Sequence, residues 1–248
     1  MKVRTKLYSS LMALFLVGTL ILGGCTASRD TANSASPDVA QASTADSAFR
    51  NLPRLEGEAI VELVVKGSPI RILVNGVDAP ITAGNFVDLV NRGVYNGLSF
   101  HRVVRDPQPF VVQGGDPQSQ DPNVPINQLG TGSFIDPATG QPRYIPLEIQ
   151  PTEAEQPIYS QTFETAGIST APKLRHTRGA VAMARSNVPD SASSQFYIAL
   201  ADLNFLDGSY AVFGYVTEGM NVVDQIQPGD RIDTARVISG LNNLKSES

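Results

Sequence analysis

The 248-residue chain contains no tryptophan, a single cysteine (Cys25) and two histidines, His101 and His176. One cysteine excludes an internal disulfide, and three Cys or His side chains fall short of the four ligands of a structural zinc site. Charge is sparse as well: 17% of the residues are Asp, Glu, Lys or Arg, and the net charge is −5. Without the first 24 residues, which hold Lys2, Arg4 and Lys6, 16 cations face 24 carboxylates, a net charge of −8. An acidic chain with no basic cluster is poorly suited to nucleic acid. No segment repeats at a fixed period. The Gly-x-Ser-x-Gly elbow and Ser-x-x-Lys motif of hydrolases are missing, as are a phosphate loop and Gly-x-Gly-x-x-Gly. No heptads or long apolar helix faces demand association, so a monomer is expected.

The one extended apolar run is Leu11–Leu22, behind the basic start of Lys2, Arg4 and Lys6. It is shorter than the roughly 18–20 residues of a spanning helix and reads as a secretory signal. It ends in Leu22-Gly23-Gly24-Cys25, which resembles the lipobox of bacterial lipoproteins. That resemblance implies cleavage after Gly24, lipidation of Cys25, and a chain held on a bacterial membrane facing the periplasm or the exterior. Several acyl chains together anchor stably, whereas one alone is marginal. Residues 25–53 are dominated by Ala, Ser, Thr, Asp and Asn. They hold too little apolar surface to offset ordering entropy, and a flexible tether is expected.

From Gly57 the pattern changes. Glu58–Val65 and Pro69–Val74 alternate as strands around Lys66-Gly67-Ser68, a hairpin signal. Pro80-Ile81-Thr82 opens a helix with Thr82 as its N-cap; Phe86, Leu89 and Val90 form the apolar stripe and Gly93 ends it. Further short strands are expected at Leu98–Val104, Phe110–Gln113, Ile145–Ile149, Gly179–Met183, Gln195–Leu200, Ala211–Val216 and Arg236–Ser239, with a second helix at Met220–Ile226. Many short strands between Gly and Pro turns mean a sandwich or a barrel. Between Pro117 and Pro172 the proline-rich text reads as surface loops, interrupted by the strand at Ile145.

Six blocks in order carry a closer likeness. They are Phe100-His101-Arg102 followed by Gln113-Gly114-Gly115-Asp116; Arg178 to Arg185; Ser193-Ser194-Gln195-Phe196-Tyr197; Phe205-Leu206-Asp207-Gly208; Ala211 to Gly214; and Glu218-Gly219-Met220. Together they resemble the cyclophilin family of peptidyl-prolyl cis/trans isomerases over roughly residues 57–240. The resemblance implies a mainly β fold: a closed eight-stranded antiparallel barrel capped by two helices. It would occupy residues 54–240, with 241–248 as a tail.

The implied reaction is rotation about an X–Pro bond, whose partial double-bond character sets a barrier of about 18–20 kcal/mol. It requires no nucleophile, metal or cofactor. By resemblance Arg102 donates to the proline nitrogen as amide resonance is lost, and a guanidinium suits this because it keeps its charge. Gln113 would hold Arg102 and contact the substrate backbone. Phe110, Val111, Tyr197 and Leu206 would line the proline pocket, with Ala184, Arg185, Gln195, Phe205 and Tyr210 at its rim. His101 is expected to be structural and His176 to be a loop or strand-entry residue.

Some positions depart from the family pattern. Phe205 stands where well-known eukaryotic members have Trp, which implies weak cyclosporin sensitivity. Tyr210 replaces His and Val111 replaces Met. Arg185 replaces Asn, adding a charge that favours acidic neighbours of the proline. The link Arg105–Pro109 is longer than the family's and is expected to shift Phe110 relative to Arg102. The insertion between Glu148 and Lys173 is expected outside the pocket, where it could serve partner binding. A proline-binding scaffold or chaperone module with little catalysis is the alternative function.

Overall fold

A computed structural model describes residues 49–246 of the chain. The signal segment, Cys25 and the tether as far as residue 48 lie outside the described residues.

The first hairpin follows from its alternation. In β2 (Glu58–Val65) the residues Ala59, Val61, Leu63 and Val65 are buried, and in β3 (Ser68–Asn75) so are Ile70, Ile72 and Val74. The register pairs Val65 with Ser68 through Glu58 with Asn75. Lys66 and Gly67 both have positive φ, as a two-residue turn between twisted strands requires. One face of each strand therefore enters the core, where a fully buried Leu, Ile or Val contributes about 1.5–3 kcal/mol.

Helix α1 (Pro80–Asn91) follows, buried from Ile81 to Val90. Its Phe86 packs on Tyr95, Phe196 and Phe213 at ring-centroid distances of 5.2, 5.3 and 4.8 Å. Gly93 ends the helix, with the Val94 amide donating to the Leu89 carbonyl. The expectation of Thr82 as N-cap is corrected: Thr82 lies inside the helix and Ala79, which has no capping side chain, precedes Pro80. The cap comes from elsewhere in the sequence. The buried carboxylate of Glu148 accepts from the Ile81 and Thr82 amides at 3.1 and 2.7 Å, satisfying donors that a helix N-terminus leaves open.

The remaining strands are β4 (Phe100–Val103), β5 (Val111–Gly114), β6 (Glu148–Ile149), β7 (Ile158–Tyr159), β8 (Ala180–Met183), β9 (Phe196–Ala199), β10 (Val212–Glu218), β11 (Ile232–Ser239) and β12 (Leu244–Lys245). Helix α2 is short, Met220–Val223. Eight strands form one antiparallel sheet in the order β11-β2-β3-β10-β8-β9-β5-β4. The expected closed barrel is corrected to an open, curled half-barrel. Its edges β4 and β11 meet only where they start: around the isolated bridge of Ser99 with Arg231, four backbone hydrogen bonds join residues 97–100 to 229–232, and no strand ladder continues beyond them. Gly97 and Gly229, both at positive φ, lie at the ends of this short contact, the Gly97 amide donating to the Ile232 carbonyl and the Gly229 amide to the Phe100 carbonyl.

Two further pairings lie beyond the expected elements. Arg54-Leu55 (β1) pairs with Leu244-Lys245 of β12, so sheet pairing includes residues past 240. Phe49 and Leu52 pack on the main core. The chain crosses α1 at Gly84, where an added Cβ would lie 2.4 Å from the Pro53 carbonyl oxygen. The segment from Leu147 to Phe163, which enters the insertion, carries the β6–β7 hairpin and a cluster of its own, with Leu147, Ile149 and Phe163 packed around Ala211.

Candidate active site

The sheet separates two apolar clusters by its pleat. Val112, Val181 and Ile198 point into the main core with Phe86 and Phe196. Their neighbours Val111, Ala180, Ala182, Tyr197 and Ala199 gather on the opposite face. A strict period of two would send Phe100 and Arg102 to the same side. The β4–β5 register slips between them, so that Phe100 opposes Gly114 and Arg102 opposes Gln113. The bulge leaves Phe100 buried and turns Arg102 outward. Gln113 in turn opposes Tyr197, and Tyr197 opposes Ala182. Arg102, Gln113, Tyr197 and Ala182 thus form one row across four strands.

Above this row lies a pocket of about 250 Å³ lined by Arg102, Phe110, Val111, Gln113, Ala184, Arg185, Tyr197, Leu206 and Tyr210. The Arg102 guanidinium lies 5.5 Å from the Phe110 ring centroid. Its Nη1 donates to Gln113 Oε1 at 3.3 Å, Gln113 Nε2 donates to Gln195 Oε1 at 3.2 Å, and Gln195 Nε2 donates to the Gly132 carbonyl at 2.9 Å. Asp116 secures the far end of this relay, its carboxylate accepting from the amides of Gly130 and Gly132 at 2.5 and 3.1 Å.

Two expected rim residues stand outside the pocket itself. Gln195 lines an adjoining cavity of about 520 Å³ that shares Gln113, Ala184 and Arg185 with the first. Phe205 is 72% exposed and stacks on Phe110 with centroids 6.0 Å apart and planes inclined by 15°. The longer link after Arg102 leaves the two ends of its loop joined: the Phe110 amide donates to the Val104 carbonyl and the Val104 amide to the Val111 carbonyl, each at 2.9 Å. Arg105 fastens that loop to the carbonyls of Val223 and Asp224 at 3.2 and 2.8 Å. Across this link the Arg102 guanidinium and the Phe110 ring are in contact. The insertion contributes no lining residue to the pocket. It braces the Leu206–Tyr210 segment from behind, the Phe163 amide donating to the Gly208 carbonyl at 2.8 Å.

His176 lies in the irregular segment that enters β8, as expected of a loop or strand-entry residue, and is fully buried beneath the pocket. Asp207 Oδ1 lies 2.8 Å from both its backbone nitrogen and its Nδ1, and Nε2 lies 2.9 Å from the Tyr197 hydroxyl. Pairing Nδ1–H with the carboxylate assigns Nε2 as acceptor for Tyr197. Burial lowers the pKa of His176 and outweighs the opposing pull of Asp207. Burial likewise raises that of Tyr197, so both are neutral near pH 7. The sequence signal was the Asp207 of Phe-Leu-Asp-Gly, which needed a partner that only folding could name. His101 is also held below its usual pKa, first by burial, and its ring nitrogens have no hydrogen-bond partner among the described residues.

The family profile "Cyclophilin type peptidyl-prolyl cis-trans isomerase/CLD" matches residues 60–242. A Synechocystis sp. protein named as a thylakoid lumen peptidyl-prolyl cis-trans isomerase is 43% identical over 79% of this chain and 51% of its own length. A chloroplastic peptidyl-prolyl cis-trans isomerase of Arabidopsis thaliana is 39% identical over 81% of this chain and 47% of its own. The chain thus spans about half the length of these relatives. A Helicobacter pylori peptidyl-prolyl cis-trans isomerase is 32% identical over 82% of this chain and 95% of its own. Among solved structures, a cyclophilin from Hirschia baltica covers 79% of this chain and 80% of its own at 21% identity and a TM-score of 0.51. A Cryptosporidium parvum cyclophilin covers 77% and 98% at 22% identity and a TM-score of 0.50. These structures agree in fold, and with the profile and the sequence relatives they lead to one conclusion: the chain belongs to the cyclophilin-type peptidyl-prolyl cis-trans isomerase family.

Proposed function

We propose that this domain accelerates cis/trans rotation about X–Pro bonds in exported polypeptides by a non-covalent route. In the twisted state amide resonance is lost and the proline nitrogen gains a lone pair, so a donor aimed there lowers the barrier more than it stabilises either planar form. Arg102 is that donor. Gln113 holds it and meets the substrate backbone, while Phe110, Val111, Tyr197 and Leu206 grip the pyrrolidine ring. Ala184, Arg185, Gln195, Phe205 and Tyr210 border the bound peptide.

The observation that carries this reading is a guanidinium and an apolar pocket on the same wall, Arg102 lying over Phe110 and hydrogen-bonded to Gln113. The test is isomerisation of an X–Pro peptide by the full chain in detergent, beside Arg102→Ala. Loss of one transition-state donor lowers the rate by about 10²–10³. A folded parent with no activity on several peptides returns the domain to a proline-binding scaffold.

The same reading places the domain outside the cytoplasm, tethered through lipid on Cys25. It is supported by the basic-apolar-cysteine start of the sequence and by relatives named for the thylakoid lumen and the chloroplast. Among the described residues no helix is long and apolar enough to cross a membrane. Incorporation of a labelled fatty acid that Cys25→Ser abolishes is the expected result; labelling that survives the change rejects the anchor.

A further inference from the structure

Arg185 differs from most of the basic side chains in its setting. Arg71, Arg92, Arg143, Arg178 and Arg236 each pair with a carboxylate. Arg185 makes no such pair among the described residues, although acidic groups outnumber basic ones in the chain. Its guanidinium is nonetheless held in place. Nε and Nη2 donate to the Ser209 carbonyl at 3.1 and 2.6 Å, Nη1 donates to the Ser186 carbonyl at 2.8 Å, and the plane lies 4.6 Å from the Tyr210 ring centroid. Carbonyls and a ring orient the cation without neutralising it. One N–H on each terminal nitrogen remains unused by these bonds.

The position gives that charge a use. Arg185 is half-buried and lines both the 250 Å³ pocket and the adjoining 520 Å³ cavity. Arg102, also without a carboxylate partner among the described residues, borders the same pocket. The acidic group of the larger cavity, Asp190, is turned to the Leu147 amide, which donates to its Oδ1 at 3.1 Å. A peptide crossing from one cavity to the other passes a rigid, partly desolvated cation whose ordering has already been met by the protein.

We propose that Arg185 is a specificity-determining residue that selects proline segments carrying an acidic side chain close to the proline. The inference rests on the isomerase reading above and adds the substrate class. Both remaining N–H groups can meet a carboxylate in a charge-assisted pair, and the preference weakens as salt screens it.

The experiment walks one Glu, or its neutral match Gln, through the three positions on either side of proline in a short peptide. For each Glu/Gln pair the ratio of kcat/KM is measured with the full chain, with Arg185→Gln and with Arg185→Lys. The expected result is a ratio of about three to ten in favour of Glu at one or more positions. It should fall towards one in Arg185→Gln and in 0.5 M salt, and persist in Arg185→Lys, which keeps the charge. Because each ratio is taken within one protein, a change in overall activity does not enter it. A parent ratio near one at all positions overturns the proposal, as does an unchanged ratio in Arg185→Gln. Fluorescence anisotropy of the same labelled peptides reads the preference from binding. An inactive parent that still prefers Glu in binding rejects the isomerase reading and keeps the selectivity; an active parent indifferent to Glu does the opposite.

Discussion

The Tyr197 hydroxyl lies 2.9 Å from Nε2 of His176, a histidine with no exposed surface, whose other ring nitrogen faces Asp207. The pocket floor is therefore tied to a buried acceptor that works only while the imidazole is neutral. Protonation turns Nε2 into a donor and reverses the bond, so that the Tyr197 hydroxyl must turn its hydrogen elsewhere and accept.

That coupling has a sign. The folded protein holds His176 below its ordinary pKa of about 6.5, so the unfolded chain binds its proton more readily. Stability is then lost as the pH falls from about 6.5 towards the lower folded value, and recovered as it rises. His101 is shifted the same way and contributes in the same window. Thermal midpoints at pH 7.5 and 5.5 should show the parent weakened at the lower pH, with a smaller difference in His176→Gln. An equal difference in both proteins would assign the effect to His101 or elsewhere.

Tyr197→Phe removes the donor to His176 and leaves Nε2 buried without a partner. A cost of about 1–3 kcal/mol is expected, read by urea denaturation, with a slower isomerisation as the floor loosens. A variant as stable as the parent would mean that the hydroxyl does not fix the ring.

Glu148→Ala strips the amides of Ile81 and Thr82 of their acceptor at the start of α1. Two buried donors left open should cost about 2–4 kcal/mol in chemical denaturation. A loss below about 0.5 kcal/mol would show that water replaces the carboxylate.

Gly84→Ala improves helix propensity by up to about 1 kcal/mol, yet its methyl would meet the Pro53 carbonyl at 2.4 Å. Overpacking of about 1–3 kcal/mol should win, and limited proteolysis should then cut faster around residues 49–55. A variant more stable than the parent would place the crossing segment farther from the helix.

Cyclosporin should inhibit weakly: by the sequence resemblance Phe205 stands where well-known eukaryotic cyclophilins have tryptophan, and its ring stacks on Phe110 outside the pocket lining. Phe205→Trp should strengthen inhibition in the peptide assay. Inhibition of the parent at low nanomolar drug would reject this.

Much of the candidate site was legible because its residues are local in sequence. The Phe-His-Arg and Gln-Gly-Gly-Asp blocks are the two arms of one hairpin, and pairing them brings Arg102 opposite Gln113. The β2–β3 hairpin was equally plain, since alternation and Lys66-Gly67 specify both faces and the turn. His176 was not readable, because a histidine in Leu-Arg-His-Thr-Arg looks like any loop residue until Asp207 and Tyr197 close around it. Thr82 was misread for the same reason: a nearby hydroxyl is the usual cap, while the actual cap is a carboxylate 66 residues further on.

By itself the sequence determined the elements that depend on periodicity and turn chemistry, the family, and the residue types in the pocket. Only the tertiary structure decided the open seam between β4 and β11, the pairing of Arg54-Leu55 with Leu244-Lys245, the bulge that turns Arg102 outward, and the uncompensated charge of Arg185. Local propensity is encoded within a few residues. Edge pairing, capping at a distance and charge neutralisation depend on which partners the packed chain brings within about 3 Å.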